Sequence, residues 1–442
     1  MGTAQIRLQR IFQKPVLAVV LAGGRGARLG PLTLFRCKPE LPFAKNRLVD
    51  FALANVVNSQ CVNNTMVLTQ YMQQGLSEHL KTFDYNSQAW GKSVSLVPAQ
   101  QQLGDDSWYE GTANAVYQNK EMIKRDPAEV VVILAADHIY KLDIRQMLAF
   151  HLESGAKFTV CGMTMPTQEA AGNFGVMELN DDSKIIGFEE KPMMPKPLPH
   201  NPLQCFASMG IYLVNKDFLL QYLEGDHADE ESDHDFGKNI IPRIIKDGEA
   251  IFGYDYNENF IPGEVRIEGG KEVPVHYWRD VGRIGPYWEA VMDLVGVVPL
   301  LSLYNEMWPV PTAWDRLPPA KFVSPDRSAM RETSDVLVAG GCIIDNHRRL
   351  DRVVLSRSVR VERGADLEGV VVFDRSKIGM GAMLKNLIVE EGVCVPAGVR
   401  VGYDLAEDIA QGVVIDPHHD LTAWYNPIRI ITKCSFGKGC ST

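Results

Sequence analysis

Seven apolar residues in succession, Val16-Leu17-Ala18-Val19-Val20-Leu21-Ala22, form the first strongly patterned stretch of the chain. The run is short and valine-rich, and it reads as a strand buried on both faces. Similar runs recur at Thr65-Met66-Val67-Leu68-Thr69, Val130-Val131-Val132-Ile133-Leu134 and Phe158-Thr159-Val160-Cys161-Gly162. Between them, residues 112–124 and 144–152 space their apolar positions as helices do. This alternation persists to about residue 293 and predicts an α/β, Rossmann-like domain with a mostly parallel sheet and helices on both faces. Ligands of such sheets sit beyond the carboxyl ends of the strands. The glycines after Leu21 and Asp137 after the third run are therefore candidates for one crevice.

The pattern changes after residue 293. Pro299, Pro309, Pro311, Pro318, Pro319 and Pro325 mark a connector. Aliphatic positions then return about every six residues, as at Cys342-Ile343-Ile344, Val353-Val354-Leu355, Val370-Val371-Val372 and Leu387-Ile388-Val389, separated by small or turn residues. That spacing predicts a left-handed parallel β-helix, with a small antiparallel sandwich as the alternative. It fades after Tyr403. The expected organisation is a catalytic domain over 14–293, a linker over 294–325, and a β-helix with an irregular tail over 326–442, serving oligomerisation and regulation.

With 442 residues the chain can build two proper cores. Its 45% hydrophobic and 23% charged content are those of a globular protein, and a net charge of −10 argues against a nucleic-acid partner bound through a basic surface. The first 14 residues contain no apolar run of the secretory kind, and no run approaches the ~18 residues of a membrane span. A cytoplasmic location with no membrane association is expected. The eight cysteines are scattered without a Cys-x-x-Cys pair, so free thiols are expected.

The string Leu21-Ala22-Gly23-Gly24-Arg25-Gly26-Ala27-Arg28-Leu29, with Lys38-Pro39 downstream, combines a tight backbone turn, bare N–H groups and added positive charge. That combination suits a polyphosphate. Leu29 stands where the dinucleotide fingerprint needs its third glycine, and no Gly-Lys-Ser/Thr follows, so neither common phosphate loop is present. Read alone, Asp137 is a helix N-cap or a hard oxygen ligand for Mg²⁺. Likewise Pro98-Ala99-Gln100-Gln101 is a polar loop or a reader of a base edge.

The glycine string with Lys38-Pro39 resembles the signature of sugar-phosphate nucleotidylyltransferases. Trp108-Tyr109-Glu110-Gly111-Thr112-Ala113-Asn114-Ala115-Val116, Leu134-Ala135-Ala136-Asp137-His138-Ile139-Tyr140-Lys141, Glu190-Lys191-Pro192, Ala207-Ser208-Met209-Gly210, His234-Asp235-Phe236-Gly237-Lys238 and Trp278-Arg279-Asp280-Val281-Gly282 continue the likeness in order. With Arg47-Leu48-Val49-Asp50-Phe51, it is most similar to the bacterial glucose-1-phosphate adenylyltransferase family over roughly residues 14–410. That resemblance implies ATP and glucose 1-phosphate as substrates, ADP-glucose and pyrophosphate as products, Mg²⁺ as cofactor, a homotetramer and a phosphorylated effector. It places Arg28 and Lys38 on the triphosphate, and Gly23, Gly24, Gly26, Gln100, Gln101 and Gly111 around the nucleotide. Asp137 and Asp280 would hold the metal, and Lys191 the sugar phosphate. Tyr109, Glu190, Ser208 and Asp235 would bind the sugar, with Phe236 and Trp278 as its apolar walls.

The chain departs from the family pattern in places. Asn114 stands for an aspartate, and Ala136 stands for a glycine whose position an alanine would strain if φ were positive. Around Leu34-Phe35-Arg36-Cys37 and Gln60-Cys61-Val62-Asn63-Asn64, several cations that bind effectors in bacterial members are missing, while Arg36 and Arg47 remain. Activation by sugar phosphates is accordingly expected to be weak or to use another ligand. A pyrophosphorylase for another sugar nucleotide, such as GDP-glucose, and a regulatory subunit without catalysis are the alternatives. A hexapeptide-type acyltransferase is disfavoured, because His347 is the only histidine in the repeats.

Overall fold

A computed structural model describes residues 14–82, 93–99, 108–313, 315–323, 332–418 and 426–436. Strands Ser93–Pro98, Val62–Thr69, Val16–Leu21 and Val130–Ala135 lie side by side in that order and are all parallel. Val16–Leu21 and Val130–Ala135 are buried on both faces, whereas the edge strand Ser93–Pro98 is largely exposed or half-buried, and alternation sends successive side chains to opposite faces. Ala18, Val20, Val132 and Leu134 meet the apolar stripes of helices Leu48–Ser59 and Ile144–Glu153. Leu17, Val19, Val131 and Ile133 point the other way, against Ala113, Val116 and the helix Lys216–His227.

Beyond Val130–Ala135 the pairing turns antiparallel, apart from Ile251–Asp255 lying parallel to Phe158–Pro166, so the sheet is mixed and its four parallel strands run out to the edge at Ser93–Pro98. The long strand Gln204–Asn215 pairs with Val130–Ala135, Phe158–Pro166 and Val176–Leu179. Its register breaks between Ser208 and Ile211, where Gly210 has a φ of +67°. The bulge takes Met209 and Gly210 out of the ladder beside Ser208, at the mouth of the crevice.

The second domain stacks parallel strands in two series. Ile343, Arg360, Lys377 and Cys394 lie above one another, as do Val353, Val370 and Leu387, giving a step of 17 residues per coil. That is close to three six-residue units and consistent with a left-handed β-helix. Leu355, Val372 and Val389 point into the coil. Their neighbours Val354, Val371 and Ile388 point out, onto Tyr287, Trp288 and Val291 of helix Ile284–Met292. Burying each such aliphatic side chain contributes roughly 1.5–3 kcal/mol, so the two domains share a core.

Two boundaries differ from the sequence reading. Within the stretch read as a linker, Leu301, Trp308 and Val310 are buried, and Lys321–Phe322 already forms the first rung of the β-helix. The tail read as irregular contains the helix Leu405–Ala410 and the strand Arg429–Ile431, which pairs in parallel with Met383–Val389. Proline spacing and loss of the six-residue period hid both. Among the described residues no helix is long and apolar enough to cross a membrane, and none of the described cysteines is in a disulfide.

Candidate active site

A cleft of about 500 Å³ opens over the carboxyl ends of the parallel strands. The end nearest the glycine loop is built from three backbone events. The strand Val16–Leu21 ends at Gly23 and Gly24, which line the cleft, and the chain reverses at Gly26 with a φ of +66°. A side chain on Gly26 would stand 2.9 Å from the Lys38 β-carbon, so this glycine supplies both the left-handed turn and the room for Lys38. The third event joins two distant aspartates. The short strand Trp278–Asp280 pairs antiparallel with His138–Tyr140, setting Asp280 opposite His138 and beside Asp137.

Lys38 donates from Nζ to Asp137 Oδ2 at 2.9 Å and to Asp280 Oδ1 at 3.2 Å. Burial works to raise the Asp137 carboxyl, but Lys38 and His138 outweigh it and hold the group far below the usual carboxylate range. Burial also pulls on the ammonium of Lys38, and the two aspartates more than offset it, raising its pKa. Asp137 and Lys38 are therefore both charged at neutral pH. The Arg28 guanidinium reaches the same corner: a side chain on Gly282 would meet Arg28 Nη2 and Asp280 Oδ2, each at 3.2 Å.

An ammonium clasped by two carboxylates marks a place that favours a cation. Among the described residues no cluster of three or more His, Cys, Asp or Glu forms a complete metal cage. Two carboxylates are nevertheless what Mg²⁺ commonly takes from protein, with phosphate oxygens and water completing its octahedron, so the donor set fits that ion.

The opposite end of the cleft is carried on loops and on the bulge. Glu190 lines the cleft, and Lys191, with a left-handed φ of +50°, turns its ammonium back to Glu190 Oε1 at 2.9 Å. Gly237 passes so close to Glu190 that a β-carbon there would fall 2.3 Å from Oε2. Asp235 Oδ1 accepts from the amides of Gly237 and Lys238, and its Oδ2 accepts from the Thr112 hydroxyl at 3.0 Å. Ser208 and Tyr109 line the wall, and the Tyr109 amide donates to Gln70 Oε1 at 2.8 Å.

Gly23, Gly24, Arg28, Lys38, Tyr109, Gly111, Asp137, Glu190, Lys191, Ser208, Asp235 and Asp280 thus line one cleft. Three expectations are corrected. Phe236 is not an apolar wall of the cleft. It is buried in the core against Tyr212, with ring centroids 5.2 Å apart, because the backbone at Asp235 turns its side chain inward as the following helix begins. Trp278 stands one layer back, its ring edge against His138 and Phe174, which themselves line the cleft. Gly26 acts behind Lys38 rather than facing the ligand space. Gln100 and Gln101 lie outside the described residues.

The sequence reading passed over Gln70 and His138. Gln70 follows the strand Val62–Thr69 immediately, and its place beyond a parallel strand's carboxyl end was the available signal. His138 Nε2 lies 3.7 Å from Asp137 Oδ1 and 3.8 Å from Asp280 Oδ1. Ala136 does not adopt a positive φ, so the alanine is accommodated without strain.

A nucleotidyl transferase family model matches residues 17–296, and a GlmU-like C-terminal hexapeptide model matches residues 318–417. A glucose-1-phosphate adenylyltransferase of Alteromonas mediterranea is 43% identical over 397 residues, covering 89% of this chain and 88% of that protein. The chain belongs to the glucose-1-phosphate adenylyltransferase family. Members from Paramagnetospirillum magneticum, 43% identical over 88% of this chain and 89% of the relative, and Corynebacterium jeikeium, 41% identical over 89% and 94%, extend the likeness across both domains. The two family-model boundaries fall on either side of the packed connector, as the two cores do.

Proposed function

We propose that this chain transfers the adenylyl group of ATP to α-D-glucose 1-phosphate, releasing pyrophosphate and forming ADP-glucose for glycogen or starch synthesis. The observation that carries the reading is the clasp of Lys38 between Asp137 and Asp280 in the cleft, within a chain of this family. The reaction brings two polyanions together, so its barrier is largely electrostatic. The phosphate oxygen of the sugar is already an anion and needs no general base to attack the α-phosphorus in line with the leaving pyrophosphate. Arg28 and Lys38 hold the triphosphate and take up charge on the leaving group. Lys191 holds the sugar phosphate while Glu190 accepts from sugar hydroxyls.

Magnesium, when bound, would draw charge from the phosphate oxygens, and Asp137 and Asp280 are the residues to hold it. The homotetramer belongs to the same reading and is supported by exposed apolar side chains on the connector, Val297, Val298, Tyr304 and Met307. A phosphorylated effector is expected to act weakly, since Arg36 and Arg47 each already face a carboxylate. Pyrophosphate release measured with each nucleoside triphosphate against each hexose 1-phosphate tests the reading. ATP with glucose 1-phosphate should be the best pair by about tenfold or more, the discrimination expected of one or two well-placed hydrogen bonds. A different best pair, or no turnover, would reject it.

A further inference from the structure

We infer that Glu390 and Glu391 of the β-helix position Lys38 for the triphosphate by holding Arg36, so that the second domain is a working part of the active site. The inference rests on the role proposed above for Lys38. Arg36 is two residues before that lysine, and its side chain is only 8% exposed. Its Nη2 lies 3.0 Å from Glu391 Oε2 and its Nη1 3.7 Å from Glu390 Oε1. The guanidinium lies over the Phe373 ring, 5.8 Å from the centroid. All three partners belong to the β-helix. The contact to its own domain is Nη1 donating to the Leu32 carbonyl at 3.3 Å.

Little slack separates this anchor from the cleft. Cys37 is fully buried, Pro39 is buried with its φ fixed by the ring, and the Glu40 amide donates to the Cys37 carbonyl at 3.1 Å, closing a tight turn around Lys38. On either side, Leu29, Leu32, Leu41 and Phe43 share one core with Val371, Phe373 and Ile388. Consecutive α-carbons are about 3.8 Å apart, so a shift of the buried guanidinium passes directly to the lysine backbone. Neutralising both glutamates leaves a buried cation without its two carboxylates, which drives Arg36 toward water. Misplacing a phosphate-holding group by about 1 Å costs up to ~10²-fold.

The same seam supplies its own control. Arg47 Nη2 pairs with Asp374 Oδ2 at 2.8 Å, also across the domains, but Arg47 stands at the start of helix Leu48–Ser59 and not on the Lys38 turn. If the seam only held the domains together, E390Q/E391Q and D374N would act alike. In the full-length enzyme, E390Q/E391Q is expected to raise the KM for ATP about tenfold while the KM for glucose 1-phosphate stays within about twofold. D374N is expected to leave both KM values within about twofold while lowering the thermal midpoint. The single variant E391Q should give a smaller rise in the same direction, and serves if the double variant does not fold. Calorimetric titration with ATP and magnesium reads the same loss without turnover. An unchanged ATP affinity, or equal rises in both KM values, would overturn the positioning role. A wild-type enzyme that binds ATP but makes no ADP-glucose would count against the proposed function instead.

Discussion

In the proposed reaction each end of the cleft holds an anion, and the two ends are built for it in opposite ways. At the phosphate end the lysine is 8% exposed and fixed by two aspartates, Asp280 on the strand Trp278–Asp280 and Asp137 in the turn that leads into its partner strand. At the sugar end Lys191 is 55% exposed and leans on its own neighbour, Glu190, from a left-handed loop position. A charge fixed by its surroundings costs no reorganisation when negative charge develops on the leaving group. A charge on an exposed loop can exchange Glu190 for an incoming phosphate. The difference assigns chemistry to the first end and substrate capture to the second.

The largest effect should come from the rigid end. Asp137→Asn and Asp280→Asn keep the side-chain shape and remove one negative charge each. Either is expected to lower kcat by about 10²–10³ in a pyrophosphate-release assay, with the fold retained by circular dichroism. A loss below tenfold would mean that the aspartates only neutralise Lys38. At the loose end, Lys191→Ala should act mainly on binding. We expect the KM for glucose 1-phosphate to rise about 10–100-fold, the KM for ATP to stay within about twofold, and stability to move by no more than about 0.5 kcal/mol, as for other exposed positions. Equal losses at both substrates would erase the distinction between the ends.

How much of this was legible in the sequence follows the same divide. The strand runs and the glycine turn are local signals, so the parallel sheet and the loop at its carboxyl end could be read directly from Val16 to Arg28. The meeting of Asp137 and Asp280 could not, because it depends on the pairing of Trp278–Asp280 with His138–Tyr140 across more than a hundred residues of chain. Only the resemblance to the family anticipated it. The wall position of Phe236 was implied by the resemblance alone, which carries no backbone geometry: Asp235 caps the following helix, and the next ring goes into the core. The seam around Arg36 was invisible for another reason. Its partners, Glu390 and Glu391, are an unremarkable acidic pair until the β-helix folds back on the first domain.

A smaller test of the sugar end uses its tightest backbone contact. In Gly237→Ala the new β-carbon would lie 2.3 Å from Glu190 Oε2, so the carboxylate must move while the core is untouched. We expect the KM for glucose 1-phosphate to rise about fivefold, kcat to change less, and stability to fall by about 1 kcal/mol. A normal KM would show that Glu190 does not touch the sugar.

The smallest effect is expected beside the most sensitive residue. Ala136, the departure from the family pattern noted in the sequence, lies one position before Asp137 and is fully buried. Its amide donates to the Leu21 carbonyl at 3.1 Å, tying it to the strand that feeds the glycine loop, and its φ is not positive. The local backbone therefore has no need of glycine's extra freedom. Ala136→Gly removes one buried methyl and loosens the unfolded chain, so stability should drop by about 0.5–1 kcal/mol with kcat within about twofold of the parent. If the glycine instead raised kcat tenfold, the methyl would be restraining Asp137, and the rigidity of the phosphate end would be a handicap rather than the source of its catalysis.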